Sequence, residues 1–200
     1  MARGKQVSDS TGPSRDGHEF HEAWTARKAM QLLLPRDGLV GIAVEGLSKE
    51  DESRALAATI EIADLTLYYG SDATFPRADR IEIIQFKYSP IRADELYRAS
   101  QAKKTIKKFA TTYIDYKNTY GASNVTKKLF FELITNRPIY SDLLKAIERI
   151  AAGKPLTGEA KKQGVQFKSA SGLTGEDLKS LHPNAKSKVL LEHLRIRRPI

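Results

Sequence analysis

The sequence predicts an α/β protein with a mixed central β-sheet flanked by helices. Short β-branched apolar runs occur at Leu39 to Glu45, Ile60 to Tyr69, Ile81 to Tyr88 and Lys128 to Thr135. Between and around them lie stretches with helical periodicity. The resulting order is helix, three strands, helix, strand, helix, which suits helices packed on a sheet.

The first helix is expected from His18 to Leu34, where Phe20, Ala23, Trp24, Met30 and Leu34 recur at three- and four-residue steps. Asp16-Gly17 starts it and Pro35-Arg36-Asp37-Gly38 stops it. Ser48 to Ala58 is a short helix or a loop. Gly70 to Arg80, with Pro76, connects the second and third strands as a wide hairpin, which implies antiparallel pairing. After Ser89-Pro90 a long helix runs from about Ala93 to Tyr120, with Leu96, Ala99, Ile106, Phe109, Ala110, Tyr113 and Tyr116 as its apolar stripe. It is long enough to cross over to a fourth strand parallel to the third. Asp142 to Ala151 is a further amphipathic helix. The tail is expected to hold helices near Gly175 to Leu181 and from Ala185 to Leu194. Residues 1–16 read as a flexible segment, 17–155 as the core, and 156–200 as a basic helical extension leading into further domains.

Of the 200 residues, 40% are apolar and 28% charged, a globular composition. Cysteine is absent, which excludes disulfides, thiolate metal sites and cysteine nucleophiles. No run is long enough to span a bilayer and no signal peptide is evident, so a cytoplasmic setting with no membrane partner is expected. The net charge of +9 is uneven: 11 Lys and Arg face 14 Asp and Glu through Pro90, and 22 face 10 beyond it. An acidic front half is thus followed by a basic half suited to a polyanion.

Side chains alternate along a strand, so Ile81, Ile83, Gln85 and Lys87 share a face that turns from apolar to polar. Ile60, Ile62 and Asp64 show the same change, and Glu45 closes the first strand. Asp64, Glu45 and the Gln85 amide oxygen are hard ligands of the kind Mg²⁺ or Mn²⁺ takes, and such a metal activates water against a phosphodiester. Lys87, kept protonated by the carboxylates, would orient the attacking water or neutralise charge on the phosphoryl group, acting electrostatically more than as a base. Read singly, each polar residue is an ordinary solvated position; read together, they make a site.

Asp64 followed by Gln85-x-Lys87 resembles the PD-(D/E)xK restriction-endonuclease-like superfamily in its QxK form. Gly17-His18-Glu19-Phe20-His21 with Trp24, Val44-Glu45-Gly46, Ala63-Asp64, Tyr68-Tyr69-Gly70 and Gln85-Phe86-Lys87-Tyr88-Ser89 are similar to the N-terminal effector nucleases of bacterial antiphage defence proteins. The similarity runs from about Gly17 to Pro138. It implies a restriction-endonuclease-like core, metal ligands at Asp64 and Gln85, a catalytic Lys87, and acids at Glu45 and Glu19. It implies double-stranded DNA as substrate and paired domains driven together by an attached sensor or NTPase. Gln85 departs from the pattern, which has an acid there, so metal affinity would lean on Glu45 and Glu19.

Glu19 is preferred over Glu22 as the helical acid because it projects nearer the apolar stripe. His21 is a candidate contact to phosphate or a metal-bound water, set against an ordinary helix-surface histidine. His18 reads as a helix-start residue, His182 and His193 show no ligand spacing with each other or with an acid, and Trp24 reads as core. Lys103, Lys104, Lys107 and Lys108 form the densest basic face and are the candidate nucleic-acid contacts; Lys127, Lys128, Lys161, Lys162, Arg195, Arg197 and Arg198 are lesser ones. The expected function is a metal-dependent DNA endonuclease of low sequence preference. A non-catalytic nucleic-acid-binding or assembly module, and an RNA- or tRNA-cleaving nuclease, remain open alternatives.

Overall fold

The computed structural model describes residues 12–33, 38–55, 57–180 and 196–197. Its sheet comprises β1 (Leu39–Val44), β2 (Leu65–Gly70), β3 (Ala78–Lys87), β4 (Leu129–Thr135) and the two-residue β5 (Ile196–Arg197), side by side in chain order. β1, β2 and β3 pair antiparallel, while β4 is parallel to β3 and β5 to β4. The architecture is therefore α/β with a mixed sheet, as the hairpin and the long intervening helix require.

The helices are α1 (Gly12–Ala29, continued by a 3-10 turn, Met30–Leu33), α2 (Lys49–Glu52), α3 (Ala57–Ile62), α4 (Ala99–Tyr120), α5 (Ala122–Lys128), α6 (Ser141–Ala151), α7 (Gly158–Ser171) and α8 (Gly175–Ser180). Alternation along β3 sends Ile81 and Ile83 to a face packed with Ile106, Phe109 and Tyr113 of α4, where the Phe109 and Phe131 rings lie 4.7 Å apart. Ile84 and Phe86 go to the other face, where α1 supplies Trp24 and Phe20. Trp24 is core, as expected. Phe20 meets the Phe86 ring edge-on at 6.1 Å.

The α1 face also holds a polar cluster. Lys28, on the last turn of α1, is buried and donates to Glu132 Oε2 at 2.9 Å, with Glu82 Oε2 4.0 Å away. Arg80 reaches Glu82 at 3.3 Å and lies over the Tyr69 ring at 3.9 Å. A buried charge needs a partner of this kind.

Several boundaries differ from the expected ones. The α1 helix begins at Gly12, ahead of Asp16-Gly17; Met30 and Ala23 are exposed, and Leu34 to Asp37 lie outside the described residues. The expected strand from Ile60 is helical until Ile62, and β2 starts only at Leu65. The alternating Ile60 and Ile62 imitate a strand, but the alanines before them favour a helical turn that buries Ile62. The long helix begins at Ala99 instead of Ala93, because the Arg137 side chain takes the carbonyls of Glu95 and Leu96, at 3.0 and 3.1 Å. Leu96 is accordingly exposed and leaves the stripe. Two helices, α5 and α7, have no counterpart in the expected order. α7 opens the segment read as a basic extension and packs against α4 and α6, placing Phe167 and Ala170 in the same core as Ile83. α8 matches the expected helix near Gly175; the one from Ala185 to Leu194 lies outside the described residues. Among the described residues no helix is long and apolar enough to cross a membrane.

Candidate active site

Antiparallel pairing places the start of β2 beside the ends of β1 and β3, with Val44 opposite Leu65 and Leu65 opposite Ile84. The residues just beyond this row are Glu45, Asp64 and Gln85. Glu45 N–H donates to the Asp64 carbonyl at 2.9 Å, and Asp64 N–H donates to the Ile84 carbonyl at 3.1 Å. Asp64 thus occupies the loop before β2, and not a face it shares with Ile60 and Ile62.

The Asp64 carboxylate is half-buried. The Phe86 N–H donates to its Oδ2 at 2.6 Å, and the Gln85 side chain also hydrogen-bonds to it. Burial holds the carboxyl above its ordinary range; the Phe86 N–H, His21, Lys87 and Gln85 oppose that shift. Glu45 sits at φ 56°, the sole non-glycine with positive φ among the described residues, and its side chain is exposed. This left-handed turn is pinned by the Thr66 hydroxyl, which donates to the Gly46 carbonyl at 2.7 Å. A left-handed glutamate at the rim of a polar cluster is backbone strain retained at a candidate site.

Gln85 is buried, and its Oε1 accepts a hydrogen bond from the Thr105 hydroxyl of α4 at 2.8 Å. Lys87 is the last residue of β3. It keeps accessible surface, yet burial is the largest influence on its ammonium and lowers its pKa; Asp64 opposes this, while Lys108 and Lys104 add to it. Asp64 favours the ammonium, as expected of a neighbouring carboxylate, but burial acts more strongly in the opposite direction.

His21 joins the cluster from α1. Its ring lies 5.0 Å from that of Phe86, and burial lowers its pKa, with Asp64 opposing and His18 and Lys87 reinforcing. It is not a free surface histidine. Glu19, the expected helical acid, is instead exposed and forms an ion pair with Arg15 at 3.1 Å, one helical turn back. Half of α1's expected stripe is solvent-facing, so proximity to that stripe did not mean proximity to the core. Glu22 is exposed as well.

Of the four lysines of α4, Lys104 and Lys108 lie close enough to act on Lys87. Lys108 is also paired with Glu61 at 3.1 Å. Lys103 and Lys107 are exposed on the same helix. Among the lesser candidates, Lys128 donates to the Pro76 carbonyl and Lys162 pairs with Glu159 at 3.0 Å. Arg197 falls in β5, and Arg195, Arg198, His182 and His193 lie outside the described residues.

Among the described residues no three of His, Asp and Glu converge as a preformed metal cage. Mg²⁺ seldom uses one: it takes one or two carboxylates and completes its shell with water and substrate phosphate. Asp64 and Glu45, on adjoining backbone segments and with Asp64 already desolvated, fit that donor set. Thr105 is the site residue that sequence reasoning missed. It lies between the charged pairs Lys103-Lys104 and Lys107-Lys108, and its near-complete burial, with 2% of its surface exposed, is a property of the packing alone. No family model matches this chain, and no curated protein matches it.

Proposed function

We propose that this chain is a metal-dependent DNA endonuclease of low sequence preference with a restriction-endonuclease-like core, acting as the effector part of an antiphage defence protein in the bacterial cytoplasm. The observation that carries the reading is the union, at one end of the sheet, of the half-buried Asp64 carboxylate, Lys87 at the end of β3 and a lysine-bearing helix whose Lys104 and Lys108 act on Lys87. Asp64 and Glu45 are the residues to hold Mg²⁺ or Mn²⁺, which when bound supplies an activated water and charge stabilisation on the phosphoryl oxygens. Lys87 contributes a cation whose partial desolvation strengthens its attraction to phosphate. Lys104 and Lys108 extend the same field along α4 and hold the backbone, which needs no base contact and gives no sequence preference. His21, packed on Phe86, stands where it would contact the phosphate or the attacking water. The sensor-driven pairing of two such domains, needed to cut both strands, rests on the sequence resemblance.

One observation favours the reading of a non-catalytic binding module: the Gln85 oxygen is already engaged by Thr105 and does not stand free for a metal. Incubation of the full chain at high concentration with supercoiled plasmid and Mg²⁺ or Mn²⁺ separates the two. Metal-dependent nicking or cutting, lost in Asp64→Ala and in Lys87→Ala, supports the nuclease. Cutting that survives both substitutions removes this site assignment. DNA binding without cutting, even after enforced dimerisation, establishes the binding module, and cleavage of RNA in place of DNA changes the substrate.

A further inference from the structure

Gln85 stands where a ligand is expected, yet its surroundings give its two ends different tasks. Asp64 offers no donor when ionised, so a hydrogen bond between the two side chains must run from the Gln85 NH₂ to the carboxylate. The opposite end of the same planar amide, Oε1, accepts from the Thr105 hydroxyl at 2.8 Å. A hydroxyl can donate or accept, so it is the acceptor-only Asp64 that settles which way round the amide sits: it takes the nitrogen, and the oxygen is left to the Thr105 hydroxyl. The Phe86 N–H holds Asp64 Oδ2 at 2.6 Å, and the side-chain amide of the residue before it acts on the same carboxylate.

We propose that Gln85 is a positioning residue for Asp64, oriented by Thr105, and not an oxygen ligand. The inference rests on the metal-site reading only for its consequence. The chain of contacts, from Thr105 through Gln85 to Asp64, is a statement about the free protein. It couples α4 to the carboxylate: the helix that presents Lys104 and Lys108 also fixes the amide that aims Asp64. It explains why an amide can replace an acid at this position. A glutamate would accept from Thr105 equally well but would face Asp64 with a second negative oxygen.

The test uses the full chain and the variants Thr105→Val, Thr105→Ser and Asp64→Ala, with two readouts. The first is the Gln85 side-chain NH₂ pair in ¹⁵N–¹H spectra without any metal. In the wild type it should be shifted from free-amide positions and slow to exchange with water. Thr105→Val and Asp64→Ala should each move it toward free-amide behaviour, and Thr105→Ser should restore it. The second is Mg²⁺ affinity by calorimetry without nucleic acid. Positioning predicts binding about three- to tenfold weaker in Thr105→Val, with recovery in Thr105→Ser, as expected for losing one buried hydrogen bond. A ligating Gln85 oxygen predicts equal or tighter binding once the hydroxyl that occupies it is gone. An NH₂ pair indifferent to both Thr105→Val and Asp64→Ala overturns the proposal. Absence of Mg²⁺ binding in the wild type overturns the metal site instead, while the spectra still decide the role of Gln85. Melting curves identify a Thr105→Val variant that has failed to fold, in which case Thr105→Ser and Asp64→Ala carry the test.

Discussion

Replacing Lys28 with methionine removes the ammonium that joins α1 to the sheet while keeping the length of the side chain. The structure sets the magnitude. The side chains of Lys28 and Glu132 are 9% and 5% exposed and meet at 2.9 Å, and the Glu82 carboxylate lies 4.0 Å from the same ammonium. Without Lys28, the buried Glu132 carboxylate loses the ammonium 2.9 Å away, while the Glu82 carboxylate stays nearby. Breaking one side of such a pair costs about 3–5 kcal/mol. At about 2–4 °C per kcal/mol for a chain of this size, the melting temperature falls by about 6–20 °C. Replacing both partners, as Lys28→Met with Glu132→Leu, removes the buried carboxylate as well and should recover most of the loss, because the Coulomb gain of the wild-type pair is largely offset by desolvation. Glu82 keeps Arg80 at 3.3 Å in every case. Urea unfolding at neutral pH, followed by circular dichroism on the four members of the cycle, measures the coupling directly. A single variant within about 1 kcal/mol of wild type would refute the reasoning, since it would mean that the buried Glu132 carboxylate does not depend on Lys28.

Glu45→Gly relieves the left-handed backbone at φ 56° and should raise stability by about 1 kcal/mol in urea titrations, while metal-dependent cleavage falls. Asp51 is buried, with both oxygens accepting the Phe75 N–H at 3.1 Å, and burial raises its pKa above the ordinary carboxylate value. The native state therefore holds its proton more tightly than the unfolded state, and stability declines as pH rises from the ordinary value through the raised one. Asp51→Asn lacks this titration, so its urea midpoint should gain on that of the wild type as pH increases across that window and run parallel above it. Lys104→Ala with Lys108→Ala should lower the slope of log binding constant against log salt by about 0.9 per lysine, with a smaller change for Lys103→Ala with Lys107→Ala. Equal slopes for the two pairs would show that the polyanion does not lie along the side of α4 nearest Lys87.

The strands and helices legible in the sequence were those whose burial follows a simple period. The alternation of β3, the apolar run of β4 and the stripe of α4 from Ile106 to Tyr116 reappear almost unshifted. α7 was not legible because its buried face is made of Ala160, Gln163, Gly164, Phe167, Ala170 and Ser171, mostly small or polar residues that carry no hydrophobic signal. Gln163 belongs there because its Oε1 accepts the Ala99 N–H at the start of α4, at 3.1 Å. The same logic governs the site. Asp64, Glu45, Gln85 and Lys87 were singled out from chemistry and spacing, and pairing does bring their backbones together. Thr105 and Lys28 were not, because a threonine or lysine beside charged residues reads as surface until its partner across the fold is known. Glu19 is exposed where a position near the core was expected, for the complementary reason: a helical stripe fixes relative directions on one helix, and only the tertiary packing decides which of them faces the sheet.

The sheet keeps its strands in chain order, and this sets an order of assembly during synthesis. Glu45, Asp64, Gln85 and Lys87 all belong to the antiparallel meander closed by residue 87, whereas β4 pairs with β3 only after α4 and α5 have been made. Local pairings of this kind form ahead of long-range parallel ones. A chain still emerging from the ribosome therefore brings the acidic rim together first, while the basic half is still enclosed by the ribosome or unmade. The emerged part is then net negative, with 11 Lys and Arg against 14 Asp and Glu through Pro90. The lysines of α4 join it later, along with Thr105.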